Sequence, residues 1–277
     1  MSHQLDLTFD TPEPINLYVE NGRGRVDVTA TDTTETTIRI TGERAEEFDV
    51  RDLGDRIAII APRRGGGLLG RDPHAEIVVE VPVASGLQAK VGSSDVRTHG
   101  RFGDVRVDSG SGDVSLDVVE GDSLVQTGSG DLVAHYLLGE TRLKSGSGDV
   151  LVRRAESTLV VTTGSGDVRV ESARAEIAVK TGSGDTHVLS MGGEAVVNTG
   201  SGDLVIGEVA SGRVTAKTAS GDVSIGVVPG TPVWTDVRTV SGRLSSTLPS
   251  TGEPAPDQPY LEVRATTASG DVTLHHS

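Results

Sequence analysis

Residues 163–168 read Thr-Gly-Ser-Gly-Asp-Val, and this turn decides the fold because it recurs along the chain at one fixed interval. The string Gly-Ser-Gly-Asp is intact six times, at residues 110–113, 128–131, 146–149, 164–167, 182–185 and 200–203, each 18 residues after the last. An altered copy, Gly-Ser-Ser-Asp, precedes the series at residues 92–95. Three drifted copies follow it at 219–222, 240–243 and 268–271. A fixed period of this kind is typical of repeat architectures.

Apolar residues alternate on both sides of each turn. After Asp167, for example, Val168 and Val170 flank the charged Arg169. Nine residues further on, Ile177 and Val179 begin a second half-unit with the same alternation. Because side chains of a strand point alternately to its two faces, each half-unit predicts one short strand with one buried face. Each 18-residue unit therefore predicts the order strand, turn, strand, turn.

Stacking of these units predicts an all-β fold. One unit cannot bury its apolar face alone, so neighbouring units should pair strand on strand at about 4.8 Å. Crossovers between parallel strands are right-handed by default. We therefore expect a right-handed parallel β-solenoid with two sheets and 18-residue coils. A left-handed hexapeptide helix would require apolar residues at every sixth position, where this sequence has Gln126, Lys144 and Lys180.

The two ends of the chain depart from the strict period. Residues 1–85 contain strand-like runs at 15–20, 25–30, 36–41, 56–61 and 75–81. They predict an N-terminal β-cap with antiparallel hairpins, in which residues 22–26 are a divergent first copy of the turn. Residues 63–70 predict a flexible loop. The solenoid is expected over residues 86–277, with a proline-rich interruption at 249–259.

Composition limits the function classes. The chain of 277 residues has no Cys, which excludes disulfides and thiolate metal sites. Its formal charge of −15 argues against nucleic acid and anionic membranes as partners. No apolar run approaches the roughly 20 residues that span a bilayer, and the first residues lack the pattern of an export signal. We expect a soluble, acidic, cytoplasmic protein with no membrane insertion.

Residues 9–15 (FDTPEPI), residues 24–28 (GRVDV) and the serial Ser/Thr-Gly-Ser-Gly-Asp-Val turns carry a family resemblance. Together they resemble the bacterial β-strand-repeat "putative adhesin" family, a domain of unknown function, over essentially the whole chain. The resemblance implies a β-solenoid fold and a surface or scaffold role. It implies no catalytic residues.

The aspartates that close the turns are the sharpest chemical feature. In a stacked coil they form one column, comprising Asp95, Asp113, Asp131, Asp149, Asp167, Asp185, Asp203, Asp222 and Asp271. Neighbouring carboxylates about 5 Å apart repel, so they need a compensating partner. Turn amides are one candidate partner. Calcium is the other, as in β-rolls, with Asp113, Asp131, Asp149, Asp167, Asp185 and Asp203 as its ligands.

Spacing favours the turn amides over calcium. The calcium β-roll motif reads Gly-Gly-x-Gly-x-Asp in every nine residues. Here Gly-Ser-Gly-Asp occurs once per 18 residues, and no residue separates the second Gly from Asp. We therefore expect no cofactor, and calcium stays the alternative.

A column of hydroxyl residues precedes the turns, comprising Ser109, Thr127, Ser145, Thr163, Thr181, Thr199, Thr218, Thr239 and Thr267. It continues the inward phase of Val161 and Val179. This phase predicts a buried hydroxyl ladder bonded to the turn backbone. The alternative is an exposed, water-ordering array of the kind that ice-binding solenoids present.

Catalytic signals are weak. A glycan-active solenoid enzyme would need a cleft, but no insertion interrupts the coils between Asp95 and Asp203. The aromatic residues Tyr136, Trp234 and Tyr260 are isolated. We therefore predict a non-catalytic, adhesin-like scaffold that presents flat acidic faces to a protein or polymer partner, with self-association open. A calcium-binding β-roll and a glycan-active enzyme are the alternatives.

Overall fold

The structure, a computed structural model, describes residues 3–62, 73–249 and 259–277. The chain divides into two compact units, Met1–Glu140 and Thr141–Ser277, which are described separately below as unit 1 and unit 2. The predicted loop at 63–70 and all but the two ends of the proline-rich segment at 249–259 lie outside the described residues.

Unit 1 consists of twelve described strands and one 3-10 turn at Ala45–Glu47. The strands are β1 (His3–Asp10), β2 (Asn16–Thr31), β3 (Glu35–Gly42), β4 (Asp49–Asp52), β5 (Arg56–Ile60), β6 (His74–Pro82), β7 (Gly86–His99), β8 (Arg101–Phe102), β9 (Val105–Ser109), β10 (Val114–Val119), β11 (Ser123–Thr127) and β12 (Leu132–Leu137).

Parallel pairing with an 18-residue offset dominates unit 1. Ser123 of β11 lies beside Val105 of β9, and Leu132 of β12 lies beside Val114 of β10. The long strand β2 pairs in parallel with β7 along nearly its whole length. The offset predicted from the repeat is therefore confirmed here.

The first copy of the turn lies in the middle of β2. Gly24 is in register with Ser94, and Arg25 is in register with Asp95. Residues 22–26 thus occupy the place of a turn in the stack, as predicted. Parallel stacking consequently begins well inside residues 1–85, and the predicted boundary at residue 85 stays a prediction.

Within residues 3–62, 73–249 and 259–277, antiparallel pairing occurs only among the N-terminal strands. β1 pairs with β3, and β3 pairs with β6, both antiparallel. β4 and β5 form an antiparallel hairpin. These pairs confirm the antiparallel content predicted for the cap.

Unit 2 contains fourteen described strands. They are β13 (Thr141–Ser145), β14 (Val150–Ala155), β15 (Leu159–Thr163), β16 (Val168–Ala173), β17 (Ile177–Ser183), β18 (Thr186–Met191), β19 (Glu194–Ser201), β20 (Leu204–Val209), β21 (Gly212–Ser220), β22 (Val223–Val227), β23 (Val233–Ser241), β24 (Leu244–Ser246), β25 (Leu261–Ser269) and β26 (Val272–His276).

Two parallel series make up unit 2. One series runs β13, β15, β17, β19, β21, β25, β23. The other runs β14, β16, β18, β20, β22, β26, β24. The last two strands of the chain therefore lie between earlier ones. β23 and β24 form the terminal coil, and each pairs with only one strand among the described residues.

Alternating burial produces the core. Val168 and Val170 are buried, whereas Arg169 between them is exposed. Burying a Val or Leu side chain contributes about 1.5–3 kcal/mol. Because the inward residues of each coil contact those of the next, stacking supplies the burial that one coil lacks.

Candidate functional site

Turn aspartates in both units accept a hydrogen bond from the coil stacked on them. In unit 1 the Asp131 backbone N–H donates to Oδ1 of Asp113 over 3.0 Å. In unit 2 the same bond joins Asp167 to Asp149 (2.9 Å), Asp185 to Asp167 (2.9 Å), Asp203 to Asp185 (2.8 Å), Asp222 to Asp203 (2.8 Å), Asp271 to Asp222 (2.7 Å) and Arg243 to Asp271 (2.8 Å). The aspartates thus bind backbone amides, as predicted, but the local capping within one turn is wrong, because each of these amides belongs to the neighbouring coil.

The ladder of carboxylates ends at the terminal coil, where position 243 is Arg in place of Asp. Arg243 in the terminal coil donates its backbone N–H to Asp271 but has no carboxylate of its own. No described coil follows it, so no amide there needs an acceptor. A charge-assisted bond to a backbone N–H is worth more than a neutral one, which offsets repulsion between stacked carboxylates.

Unit 1 has a second ladder that the sequence reasoning missed. The Asp122 N–H donates to Oδ1 of Asp104 over 2.9 Å, and the Glu140 N–H donates to Oδ1 of Asp122 over 3.0 Å. The repeated Gly-acid pairs at the second corner were the available signal. Acids at both corners therefore satisfy backbone donors.

Calcium binding gains no support from this geometry. Among the described residues, no group of three or more His, Cys, Asp or Glu side chains is placed to hold a metal ion. The six calcium candidates follow one another along their ladders, one per coil. Calcium at these aspartates remains only a prediction.

The hydroxyl column is buried, so the exposed water-ordering array is wrong. Seven of its nine members are at most 8% exposed. In one group of turns the hydroxyl accepts the N–H of the second glycine, as in Thr163 with Gly166 at 3.1 Å. The same bond occurs at Ser109 (to Gly112), Thr127 (to Gly130) and Ser145 (to Gly148). We call these the capped turns.

A second group of turns, all in unit 2, leaves the hydroxyl without a partner. The Gly184 N–H donates instead to the Ser201 carbonyl of the next coil over 3.0 Å. Corresponding bonds run from Gly202 to Ser220, from Gly221 to Ser269 and from Gly270 to Ser241. The hydroxyls of Thr181, Thr199, Thr218, Thr239 and Thr267 are buried with no hydrogen-bond partner in the described structure. We call the four turns of Gly184, Gly202, Gly221 and Gly270 the laddered turns, whereas Thr239 lies in the terminal coil, which no described coil follows.

A row of seven side chains, four of them basic, runs along the outer face of the first series of unit 2. Pairing aligns its members in the order Lys144, Thr162, Lys180, Asn198, Lys217, Thr266, Arg238. The three lysines are exposed and make no ion pair within the described residues. Arg238 pairs with Asp236 at 3.2 Å. We call these seven residues the basic row.

A shallow groove of about 620 Å³ follows part of this row. Lys180, Asn198 and Lys217 line it, together with small residues of the laddered turns such as Gly200 and Ala219. Beside the row, the half-buried side chains of Val160, Ala178 and Val196 form an apolar stripe. The face thus combines cationic groups with a flat apolar strip.

An ion-pair cluster lies on β21 and β25, two of the strands that also contribute to the groove. Glu262, only 8% exposed, binds Arg213 at 2.8 Å and Arg264 at 2.6 Å. The hydrogen bond from Arg213 and the proximity of both guanidinium groups hold the pKa of Glu262 below its ordinary range. These two arginines are therefore occupied, whereas the lysines are not.

The expectation of flat acidic faces is wrong for this surface. The strands of the first series carry seven Lys and Arg residues against three acids. Net charge is a sum over the whole chain, and many acids lie at the turns. The face itself is basic.

The sequence profile of Toastrack DUF4097 matches residues 15–275. The chain belongs to the Toastrack DUF4097 family. This confirms the resemblance drawn from the turns. No curated protein matches the sequence.

Three solved structures similar to this Toastrack chain come from Parabacteroides and Bacteroides species. A "putative lipid binding protein" from Parabacteroides distasonis has 12% identity and a TM-score of 0.51, with 98% of this chain and 96% of that chain covered. A "putative adhesin" from Parabacteroides merdae has 10% identity and a TM-score of 0.45, with 99% and 95% covered. A "putative adhesin" from Bacteroides fragilis has 12% identity and a TM-score of 0.39, with 98% and 97% covered. At these identities the likeness concerns the fold alone.

The basic row of the Toastrack chain was missed because the sequence reasoning concentrated on inward residues and turns. The signal was the outward position next to each hydroxyl, where Lys144, Lys180 and Lys217 recur in alternate coils. Among the described residues, no helix has the length and apolarity needed to cross a membrane.

Proposed function

We propose that this Toastrack protein is a non-catalytic binding module, which holds an extended anionic polymer along the basic row of unit 2. Lys144, Lys180 and Lys217 are its cationic contacts. Thr162, Asn198 and Thr266 supply hydrogen bonds between them. The sequence predicts an adhesin-like role in binding a partner. The proposal assigns this role to the basic row and makes the partner anionic.

The observation that carries this proposal is the row of three lysines without acidic partners on a protein of net charge −15. Acids are abundant in this chain, and most outward arginines have one nearby. An exposed lysine left without a partner stays available for an external anion. Alignment of three such lysines on one face favours a ligand with several charges.

The interval between the lysines favours a polysaccharide. Alternate coils lie about 9.5 Å apart, twice the strand spacing. An extended polysaccharide with one carboxylate or sulfate per disaccharide has charges at a comparable interval. Same-face residues of an extended peptide recur at roughly 6.8 Å, and phosphates of a nucleic acid strand at about 3.4 Å along the helix axis. The apolar stripe beside the row supports the C–H faces of sugar rings.

We propose that the coils are arranged as a right-handed solenoid with two sheets. The 18-residue registers within each unit support it, and parallel crossovers are overwhelmingly right-handed. In that form each series of strands provides one flat face, so a linear ligand can follow the row without crossing a loop.

The absence of catalysis is likewise part of the proposal. The residues that line the groove include no Asp, Glu or His, so its described walls offer no general acid or base. A binding role requires only the cationic and hydroxyl groups that are there.

Isothermal titration with hyaluronan fragments at low salt tests this function. The triple variant Lys144→Gln, Lys180→Gln, Lys217→Gln should bind at least about tenfold more weakly, because three exposed charge contacts are lost. Binding by the unaltered protein should also weaken as salt rises. Neutral dextran should not bind.

The matched control removes three charges from the other series of the same unit. Arg153→Gln, Arg154→Gln, Arg169→Gln changes the net charge equally but leaves the basic row intact. Its affinity should stay near that of the unaltered protein. An equal loss in the control, or no binding of the unaltered protein at low salt, would overturn the proposal.

A further inference from the structure

The terminal coil of unit 2, formed by β23 and β24, is built like an interior coil but lacks a neighbour on one side. We propose that a second copy of this chain docks there, with β23 pairing antiparallel with β23 of the second copy about a twofold axis at Val237. This inference does not rest on the anionic ligand, because it concerns the free edge of β23 and not the three lysines, although Arg238 also belongs to the basic row.

The backbone of β23 has an open edge. The Leu261 N–H donates to the Pro232 carbonyl, so the even-numbered residues of β23 direct their N–H and C=O groups towards β25. The alternate residues Val233, Thr235, Val237 and Thr239 direct theirs away from β25. Among the described residues no strand pairs with that side. Such an edge is a template for another strand.

Inward side chains of the terminal coil are uncovered. Val237 aligns with the fully buried Ala265, and Leu244 aligns with the fully buried Val272. Leu244 itself is 52% exposed because no coil covers it. Val233, Thr235 and Ser246 line a recess of about 200 Å³ at this end. The core of unit 2 therefore continues to an apolar surface that a further coil would bury.

The sequence of β23 is complementary to itself in one antiparallel register. With Val237 opposite Val237 of the second copy, Asp236 lies opposite Arg238 of that copy, and Arg238 lies opposite its Asp236. Two opposite-charge pairs therefore form across the axis.

The remaining positions of this register also fit. Trp234 lies opposite Val240, an aromatic side chain facing a β-branched one, and the two are 48% and 89% exposed in the single chain. Thr235 lies opposite Thr239. The open-edge residues Val233, Thr235, Val237 and Thr239 then fall at hydrogen-bonded positions, which lets both strands use their unpaired backbone groups.

Twofold pairing of this kind is closed. A twofold contact uses the same edge of both copies, so no β23 edge stays free and the assembly stops at two chains. The edge strand also lacks the unpaired lysine that commonly blocks strand addition. Its two charged residues are the ones that the second copy complements.

Sedimentation velocity of the full chain over a range of concentrations tests the proposal. The unaltered protein should be a concentration-dependent dimer. Asp236→Arg alone places like charges opposite each other twice, and the dissociation constant should rise by about tenfold or more. The double variant Asp236→Arg, Arg238→Asp restores both pairs and should return to within a few-fold of the unaltered protein.

Charge reversal at Glu208 is the matched control, because Glu208→Arg makes the same charge change on an exposed side chain of the internal strand β20. It should leave the dimer unchanged. The proposal is overturned if the unaltered protein is monomeric at all concentrations, if it forms open-ended oligomers, or if the double variant dissociates like Asp236→Arg. Circular dichroism of every variant checks that the monomer is folded.

Discussion

Residues 163–167 and 181–185 have the same sequence, Thr-Gly-Ser-Gly-Asp, and lie in neighbouring coils of unit 2, yet their turns differ. In the first, the Gly166 N–H is bound by the hydroxyl of Thr163. In the second, the Gly184 N–H binds the Ser201 carbonyl of the next coil, and the hydroxyl of Thr181 has no partner in the described structure. Both threonines are 3% exposed, so burial does not distinguish them.

The difference shows that the neighbouring coil, and not the five residues, decides the turn. A laddered turn requires an extended serine in the next coil, and Ser183 pairs with Ser201 for this reason. Compared with a capped turn, a laddered turn has one more hydrogen bond between backbones and one more residue pair between strands. The loss is a buried hydroxyl without a partner, which costs about 1–3 kcal/mol. Each laddered turn favours the same form in the next one.

Glycine at the second turn position should be indispensable in both forms, for different reasons. A Cβ on Gly166 would overlap the backbone carbonyl of Gly148. Gly184 adds a φ of +147° to a similar close approach, to Gly166. We expect Gly166→Ala and Gly184→Ala each to lower the free energy of unfolding by about 3 kcal/mol or more in urea denaturation.

The control for these glycine variants is Gly230→Ala. Gly230 has a φ of +87° but open space around its Cβ position, so only backbone strain of about 1 kcal/mol is expected. If Gly166→Ala proved as mild as Gly230→Ala, close stacking of the capped turns would be contradicted.

Removal of one ladder carboxylate should have a smaller effect. Asp185→Ala leaves the Asp203 N–H without its acceptor and should cost about 2 kcal/mol, whereas Asp185→Asn keeps an oxygen acceptor and should cost about half of that. Both values come from urea denaturation, with the exposed Glu208→Ala as control.

Adding calcium distinguishes the two roles considered for the turn aspartates, which are binding of backbone amides and binding of the metal. If the aspartates serve backbone amides alone, calcium leaves the melting temperature of the unaltered protein unchanged. Stabilisation that rises with calcium concentration and disappears in Asp185→Asn would support the metal instead.

Much of the fold follows from the sequence because it depends on local patterns. The alternation around Arg169 and the 18-residue interval predict the strands and their register, and Gly24 and Arg25 indicate the first coil. The inward phase of Thr163 and Thr181 predicts their burial. These features need only side-chain periodicity and one stacking interval.

Other features depend on order in space. The insertion of β25 and β26 beneath β23 and β24 cannot be read from position along the chain, although Arg243 in place of Asp was a sign that a ladder ends there. The two turn forms share one sequence, so no local pattern distinguishes them. The basic row was hidden because Lys180 and Lys217 come together only through pairing.

The most direct test of the two turn forms compares Thr163→Val with Thr181→Val, which replace equally buried hydroxyls by a methyl group of similar size. The free energy of unfolding should fall by about 1 kcal/mol for Thr163→Val, since the Gly166 N–H loses its acceptor. It should stay unchanged or rise by about 1 kcal/mol for Thr181→Val, since an unpartnered hydroxyl is removed. Equal losses in the two variants, or a larger loss for Thr181→Val, would contradict the account.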